Sequence, residues 1–256
     1  MAPMLDVQFT SGHADWGRLR DAALAAEAAG YGAVWVVDHL AGRSMGGDQS
    51  FDAFAWLGAL AAVTERIELG SLVVNVWNRE VGVSAVAAGT IAEISQRRFW
   101  FGIGAGTSPS SSFAWEQQMV DARIEPSMER RHDRLEALCA LCDRMWRGDV
   151  TAMPTFLRPA NLPQRIVGVN SVRLATIAGR VADGINVAWR HPRRDEFLAA
   201  CRRAVDDRPF TWTTYLAWSD GIEDPDHPDH QAMHAAGMDR IIILHPEKPP
   251  TTFRVV

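Results

Sequence analysis

The chain has 256 residues, 47% of them apolar and 22% charged, with a formal net charge of −5. The apolar fraction and mixed charges exclude disorder, and the acidic balance argues against a sequence-independent grip on nucleic acid. Lys248 is the only lysine, which excludes a P-loop, whose motif needs Gly-Lys-Ser/Thr, and argues against lysine Schiff-base chemistry.

From Met1 to Asp15 no basic region precedes an apolar run. The longest apolar stretch, Ala53 to Val63, is about half of the ~20 residues a membrane helix needs. Three cysteines, Cys139, Cys142 and Cys201, cannot make a disulfide framework. The expectation is a cytoplasmic protein of one domain, residues 1–256, with neither a membrane nor a nucleic-acid partner and with a homodimer as its assembly.

Two periodicities alternate along the chain. Leu5 to Phe9 alternates apolar and polar, as a strand does. Asp15 caps a helix that runs to Ala29 and stops at Gly30. Ala33 to Val37 is a short, continuously apolar strand, the pattern of a strand covered on both faces. Phe51 to Thr64 reads as helix, Ile67 to Val74 as the third strand, Glu80 to Ile94 as helix and Phe99 to Ile103 as the fourth strand. Pro126 opens a long amphipathic helix that reaches Trp146. Then come a strand at Arg165 to Val169, a helix at Val172 to Arg180 and a strand at Gly184 to Ala188. Arg193 to Val205 is helical, Phe210 to Trp218 is the seventh strand, His227 to Ala236 is a brief helix, and Arg240 to Leu244 is the eighth strand.

Strict βα alternation implies a parallel sheet, and eight such units in ~250 residues predict a (β/α)₈ TIM barrel. An open, doubly wound sheet is the alternative. The tail from Pro246 to Val256 holds three prolines, so the last barrel helix is expected to be short or missing. In a barrel, chemistry sits at the C-terminal ends of the strands, and three segments fall there.

Asp38-His39 ends the second strand; a carboxylate beside an imidazole suits proton transfer or ligand orientation. Gly102-Ile103-Gly104-Ala105-Gly106-Thr107 ends the fourth strand and lets backbone approach a flat or anionic ligand. It is not the GxGxxG dinucleotide fingerprint. Gly168-Val169-Asn170-Ser171, with Arg173 beyond it, joins the fifth strand to its helix and offers amides, a hydroxyl and a guanidinium to a phosphate. The plain alternative is an ordinary N-cap.

Gly42-Arg43-Ser44-Met45-Gly46 matches the G-x-S-x-G elbow of serine hydrolases. The elbow needs a strand directly before it and a helix directly after, and neither is in place. A mobile Gly- and Ser-rich loop is the expected reading. His227, His230 and His234 cluster with Asp224, Asp226 and Asp229, but a zinc protease's glutamate is replaced by Gln231, and a solvated loop with no metal is expected. Cys139 and Cys142 form a C-x-x-C in mid-helix among leucines, which reads as core packing rather than a redox pair.

These pieces resemble the luciferase-like monooxygenase superfamily, especially its coenzyme F420-dependent branch. The residues are Ala-Ala-Gly-Tyr-Gly-Ala-Val-Trp-Val-Val-Asp38-His39, Ala-Ala-Val-Thr64-Glu-Arg66-Ile-Glu-Leu-Gly70-Ser71 and Asn78-Arg79. Ile94-Ser95-Gln-Arg-Arg98-Phe, Phe-Gly102-Ile-Gly104-Ala-Gly106, Ala182-Asp183-Gly184-Ile-Asn186 and Ala-Gly237-Met-Asp-Arg-Ile follow in order. The resemblance implies a TIM barrel with a flavin or deazaflavin at its C-terminal mouth. It implies a ring stacked on a bulge at Leu72-Val73, with a cis peptide there, and Ser71, Gly104, Gly106 and Thr107 beside it. The phosphate would lie at Gly168 to Ser171.

Oxygen-using FMN members carry Glu-His-His at the end of the second strand, whereas deazaflavin members carry Asp-His, as here. The implied function is hydride transfer between coenzyme F420 and a small organic substrate. His39 would be the proton donor or acceptor, oriented by Asp38 or by a backbone carbonyl. An FMN-dependent monooxygenase, a catalytically degenerate flavin-binding protein and a serine hydrolase are the alternatives. The family's sugar-phosphate dehydrogenases have a glutamate where this chain has Thr107, which argues against a sugar phosphate. Trp77, Trp115, Trp189 and Trp218 are candidates for an apolar pocket, although core packing is the ordinary use of tryptophan. From Asp206 to His230 the resemblance lapses, so the substrate stays undefined.

Overall fold

A computed structural model of the chain describes residues 2–246 and 249–256. Lys248 lies outside the described residues. Nine strand segments alternate with eight helices among them. In order they are β1 (Met4–Phe9), α1 (Trp16–Ala29), β2 (Ala33–Val36), α2 (Ala53–Val63), β3 (Glu68–Ser71), β4 (Val74–Asn75), α3 (Val81–Ser95) and β5 (Phe99–Gly104). There follow α4 (Ala114–Met119), α5 (Met128–Trp146), β6 (Gln164–Val169), α6 (Val172–Val181), β7 (Gly184–Ala188), α7 (Arg194–Arg202), β8 (Thr211–Ala217), α8 (Pro228–Ala235) and β9 (Arg240–His245).

Every pairing is parallel, and β1 pairs with both β2 and β9. On the other side β5 pairs with β3, β4 and β6, which closes the ring. β3 and β4 share one stave, interrupted at Leu72-Val73, so the barrel has eight staves and is a (β/α)₈ TIM barrel. The continuous third strand expected from Ile67 to Val74 is therefore two pieces. The open-sheet alternative is excluded by the closure.

Local chemistry sets the helix ends. Asp15 caps α1 through the Arg18 amide at 2.8 Å, and Gly30 ends it in the left-handed region at φ 93°. Asp52, Ser127, Ser171 and His227 cap α2, α5, α6 and α8 in the same way. Ser127 rather than Pro126 therefore opens the long helix. Two segments depart from expectation. Residues 105–127 contain α4, which has no periodicity strong enough to show in six residues. Gly42–Met45 is a 3-10 turn rather than a loose loop.

The N-terminal end of the barrel is closed by a buried ionic plug. Arg240 donates to both oxygens of Asp6 at 2.7 Å and pairs with Glu68 at 2.9 Å. Trp35 donates to Asp6 at 2.9 Å and Trp100 to Glu68 at 2.8 Å, and the two indoles stack. Burial pushes the Asp6 carboxyl up and Arg240 opposes it. Gly70 is glycine because Trp35 occupies its side-chain space: a Cβ there would sit 2.5 Å from the indole.

No helix follows β9 among the described residues. The tail instead runs as a strap along α1. Arg18 donates to the Pro249 carbonyl at 2.7 Å, and the Val256 amide reaches the Ala29 carbonyl at 3.0 Å. Phe253 packs its ring against Phe9 and Tyr31 in the place a last helix would fill. No helix among the described residues is long and apolar enough to cross a membrane.

Candidate active site

A cavity of about 620 Å³ opens at the C-terminal ends of the staves, within the ~300–1,000 Å³ range of small-molecule pockets. It receives residues from the ends of β1 to β9 and from α4, α5 and α6.

His39 follows β2, but Asp38 does not orient it. The Asp38 carboxylate accepts from the Asn75 amide at 3.0 Å, the Asn78 side chain at 3.2 Å and Arg79 at 2.9 Å. Arg79 is shared with Asp52. Burial pushes Asp38 up to about 6, against the pull of Arg79. Asp38 thus ties the loop after β2 to the segment after β4.

The partner of His39 is Glu116, 77 positions along the chain. His39 Nδ1 lies 3.0 Å from Glu116 Oε1. The second oxygen of Glu116 accepts the Leu40 amide at 3.2 Å and the Ser44 hydroxyl at 2.6 Å. Glu116 is buried, which raises its carboxyl, but the bonds from His39 and Ser44 outweigh burial and hold it below the usual carboxylate range. An ionised carboxylate only accepts, so Nδ1 carries the proton and Nε2 is left as the exchanging nitrogen. The His39 side chain keeps 25% of its exposure and lines the cavity. Ser44 gives its proton to a carboxylate, with no imidazole bonded to its oxygen among the described residues. A 3-10 turn, not a strand-to-helix elbow, carries it, so the geometry opposes a nucleophile there.

One wall of the cavity is the Leu72-Val73 segment, whose peptide bond is cis, as expected. Val73 requires glycine opposite it. A Cβ on Gly104 would come to 2.6 Å from the Val73 side chain, and one on Gly168 to 3.0 Å. Gly106 has φ 97°, a conformation that favours glycine. Thr107 accepts from the Asn75 side chain at 3.2 Å and lines the cavity. Ser71 does not line it: fully buried, it donates to the Gly102 carbonyl at 3.0 Å.

Gly168, Val169 and Asn170 line another part of the cavity, whereas the Ser171 hydroxyl caps α6 through the Leu174 amide at 3.2 Å. Arg173 is exposed and faces Glu129 at 4.0 Å. Three cavity residues from α5, Met128, Arg131 and His132, were not foreseen. Arg131 donates to the Gly106 carbonyl at 3.2 Å, and its Nε has no partner among the described residues. His132 is buried with an unpartnered Nδ1, and burial lowers its pKa, with Arg173 and Arg131 adding to the effect. In sequence both look like the polar face of an amphipathic helix. Arg131 and His132, beside the N-terminal end of α6, give this wall the polar and positive groups that favour an anion.

The remaining candidates lie elsewhere. Among the described residues no group of three or more His, Cys, Asp or Glu side chains could hold a metal ion. His227 caps α8 and His230 is buried on the inner face of that helix. Burial pushes the Cys139 thiol up to about 12, in keeping with core packing. Trp77, Trp115, Trp189 and Trp218 are not among the cavity residues.

The profile of the luciferase-like monooxygenase family matches residues 4–197. An F420-dependent glucose-6-phosphate dehydrogenase of Nakamurella multipartita is 29% identical over 205 residues, which is 73% of this chain and 58% of that one. A 5,10-methylenetetrahydromethanopterin reductase of Methanolobus tindarius is 28% identical over 66% of this chain and 49% of its own. Among solved structures, an F420-dependent secondary alcohol dehydrogenase in complex with an F420-acetone adduct superposes with a TM-score of 0.75. The overlap covers 100% of this chain and 96% of the other at 16% identity, a likeness of fold. The chain spans 48–65% of the length of three curated relatives.

Proposed function

The chain belongs to the luciferase-like monooxygenase family, and on that premise we propose that it is an oxidoreductase working with a deazaflavin of the F420 type on a small organic substrate. One observation carries the reading: a glycine-walled cavity places His39, fixed by Glu116, at the same mouth as an anion-accepting wall. The F420-dependent relatives support it.

The residues present fit such a cofactor. Gly104 and Gly168 let the Val73 side chain pack down onto the strands, and Leu72-Val73, which lines the cavity, can back a planar ring. Arg131 and His132, which line the cavity beside the N-terminal end of α6, can take a phosphate. When bound, a deazaflavin supplies hydride transfer and, with carbon in place of N5, little oxygen activation. The chain supplies the rest. Glu116 holds the Nδ1 proton of His39, and Nε2 gives or takes the proton that accompanies hydride transfer at a carbon bearing oxygen. Asp38 keeps the His39 loop against Arg79.

Titration of the apo-protein with F420 and with FMN, followed by fluorescence, tests the proposal. Tighter binding of F420 is expected. FMN carried through purification, or FMN affinity at least equal to that for F420, overturns the cofactor and leaves the FMN-dependent monooxygenase.

We propose further that the chain forms a homodimer, for which it has a suitable surface. α2 has no charged residue and α3 has only Glu93. Both helices nevertheless expose apolar side chains, among them Val63, Val83, Val86 and Ile94. Uncharged exposed faces of this kind mark interaction sites. A dimer by light scattering that dissociates in Val86→Asp is expected; a monomeric wild type at micromolar concentration would refute it.

A further inference from the structure

We infer that Gln8, Asn186 and Tyr215 form, on one half of the cavity floor, a subsite for an uncharged headgroup that donates hydrogen bonds, of which a primary amide is the type, and that this subsite turns away carboxylates and phosphates. The inference rests on the cofactor reading above only for the place of the ring.

Topology sets this half apart. Gln8 belongs to β1, Asn186 to β7 and Tyr215 to β8, and all three line the cavity. Around the closed sheet β8 stands opposite the β3–β4 stave, with three staves between them on either side. Tyr215 therefore faces Leu72-Val73 across the mouth. A molecule held between them lies against the open face of a ring backed by that segment. The charged residues that line the cavity come from elsewhere: Asp38 and His39 follow β2, Glu116 lies on α4, and Arg131 and His132 lie on α5.

Hydrogen bonds fix which way two amides point. Gln8 Nε2 donates to the Phe9 carbonyl at 2.7 Å, and a carbonyl only accepts. Asn186 Nδ2 donates to the Thr213 hydroxyl at 2.7 Å, and that hydroxyl gives its own proton to the Ile185 carbonyl at 2.9 Å. Turning either amide over would set oxygen against an oxygen that has no proton to offer. Gln8 Oε1 and Asn186 Oδ1 are thereby left as acceptors. Burial alone raises the pKa of Tyr215, so its hydroxyl stays protonated and can donate. Two acceptors held in place and one donor match a group that carries both N–H and C=O. An anion brings only acceptors. It would meet two carbonyl oxygens, with no cation among the described cavity residues of β1, β7, β8 and β9.

The test uses cyclohexanecarboxamide, its N,N-dimethyl amide and cyclohexanecarboxylate, which share one ring and differ in headgroup. Each is titrated into the protein loaded with oxidised F420, read by cofactor fluorescence, and into the apo-protein, read by calorimetry. The primary amide is expected to bind about tenfold more tightly than the other two, the worth of one net hydrogen bond. Gln8→Met and Asn186→Leu should each lower the affinity of the primary amide about tenfold and leave the dimethyl amide as it was. Tyr215→Phe should weaken both amides, because both carry the carbonyl that the phenol serves. Thermal melts identify any variant that fails to fold, and the remaining two then decide. Equal affinity for the three headgroups, or no binding of the primary amide at millimolar concentration, overturns the inference. So does a preference that survives in the folded variants, and so does displacement of the amide by F420, which assigns the floor to the cofactor. Failure to bind F420 overturns the cofactor reading, and the titrations of the apo-protein still decide the floor.

Discussion

The two ends of the barrel use the same kinds of side chain for opposite purposes. At the N-terminal end Arg240 pairs with both Asp6 and Glu68, Arg98 also reaches Glu68, and two tryptophans donate to the same carboxylates. At the C-terminal end Glu116 is also satisfied and Asp38 is held by Arg79, but Arg131, His132 and His39 line the cavity. A closed end spends all its polar capacity inside the protein, whereas an open end holds some in reserve for a ligand. Burial of a charge is therefore no sign of function by itself; a polar side chain that lines a cavity is the better sign.

The largest effect is expected at the open end. His39→Ala should lower kcat by about 10²–10⁴-fold, the usual loss when a proton-transfer group is removed, with stability within about 1 kcal/mol of wild type. Steady-state kinetics with a denaturation curve checks both. If F420 affinity falls and kcat at saturating cofactor survives, His39 only packs beneath the ring.

The closed end should answer in the opposite way. Arg240→Met leaves Asp6 buried without its cation and Glu68 with Arg98 alone, and a loss of about 3–5 kcal/mol in urea unfolding is expected. F420 affinity of the folded fraction should be retained. A variant of wild-type stability would show that the plug is not needed to close the barrel.

At the phosphate wall, Ser171→Asp keeps an N-cap for α6 but adds a negative charge. F420 binding should weaken by roughly ten- to a hundredfold, the worth of one charge-assisted contact. Unchanged affinity would move the phosphate away from α6.

The smallest effect is a pH dependence. The Glu116 carboxyl is held below its ordinary value of 4.5 by His39 and Ser44, against burial. A lowered carboxylate contributes stability that is full above its unfolded pKa and is lost as pH falls through the folded one. Ser44→Ala removes one of those bonds, so it should cost about 1 kcal/mol at pH 7 and progressively less below pH ~4.5. Thermal melts of both proteins across that range decide it; a difference independent of pH would mean that Ser44 acts by packing alone.

The sequence by itself determined the barrel and the end at which its cavity opens. Alternation of short apolar runs with helical periods is a local property, and it survives folding because each strand is covered on both faces. The residues that cap the helices are local too, as is the glycine spacing at Gly102, Gly104 and Gly106. Through family resemblance the sequence also pointed to the cis bond at Leu72-Val73. Tertiary structure alone decided which groups meet. Asp38 adjoins His39 in the chain but turns to Arg79, because a buried carboxylate takes the strongest donor within reach. Glu116 reaches His39 from a helix of six residues, too short to carry a period. Arg131 and His132 sit on a helix whose pattern reads as solvent-facing, and only the fold of α5 over the mouth turns them inward. The strap that replaces the last helix is likewise held by contacts to α1 and Phe9, residues at the other end of the chain. Partners so distant in sequence leave no period or spacing between them, so the chemistry of the mouth exists only once the barrel has closed.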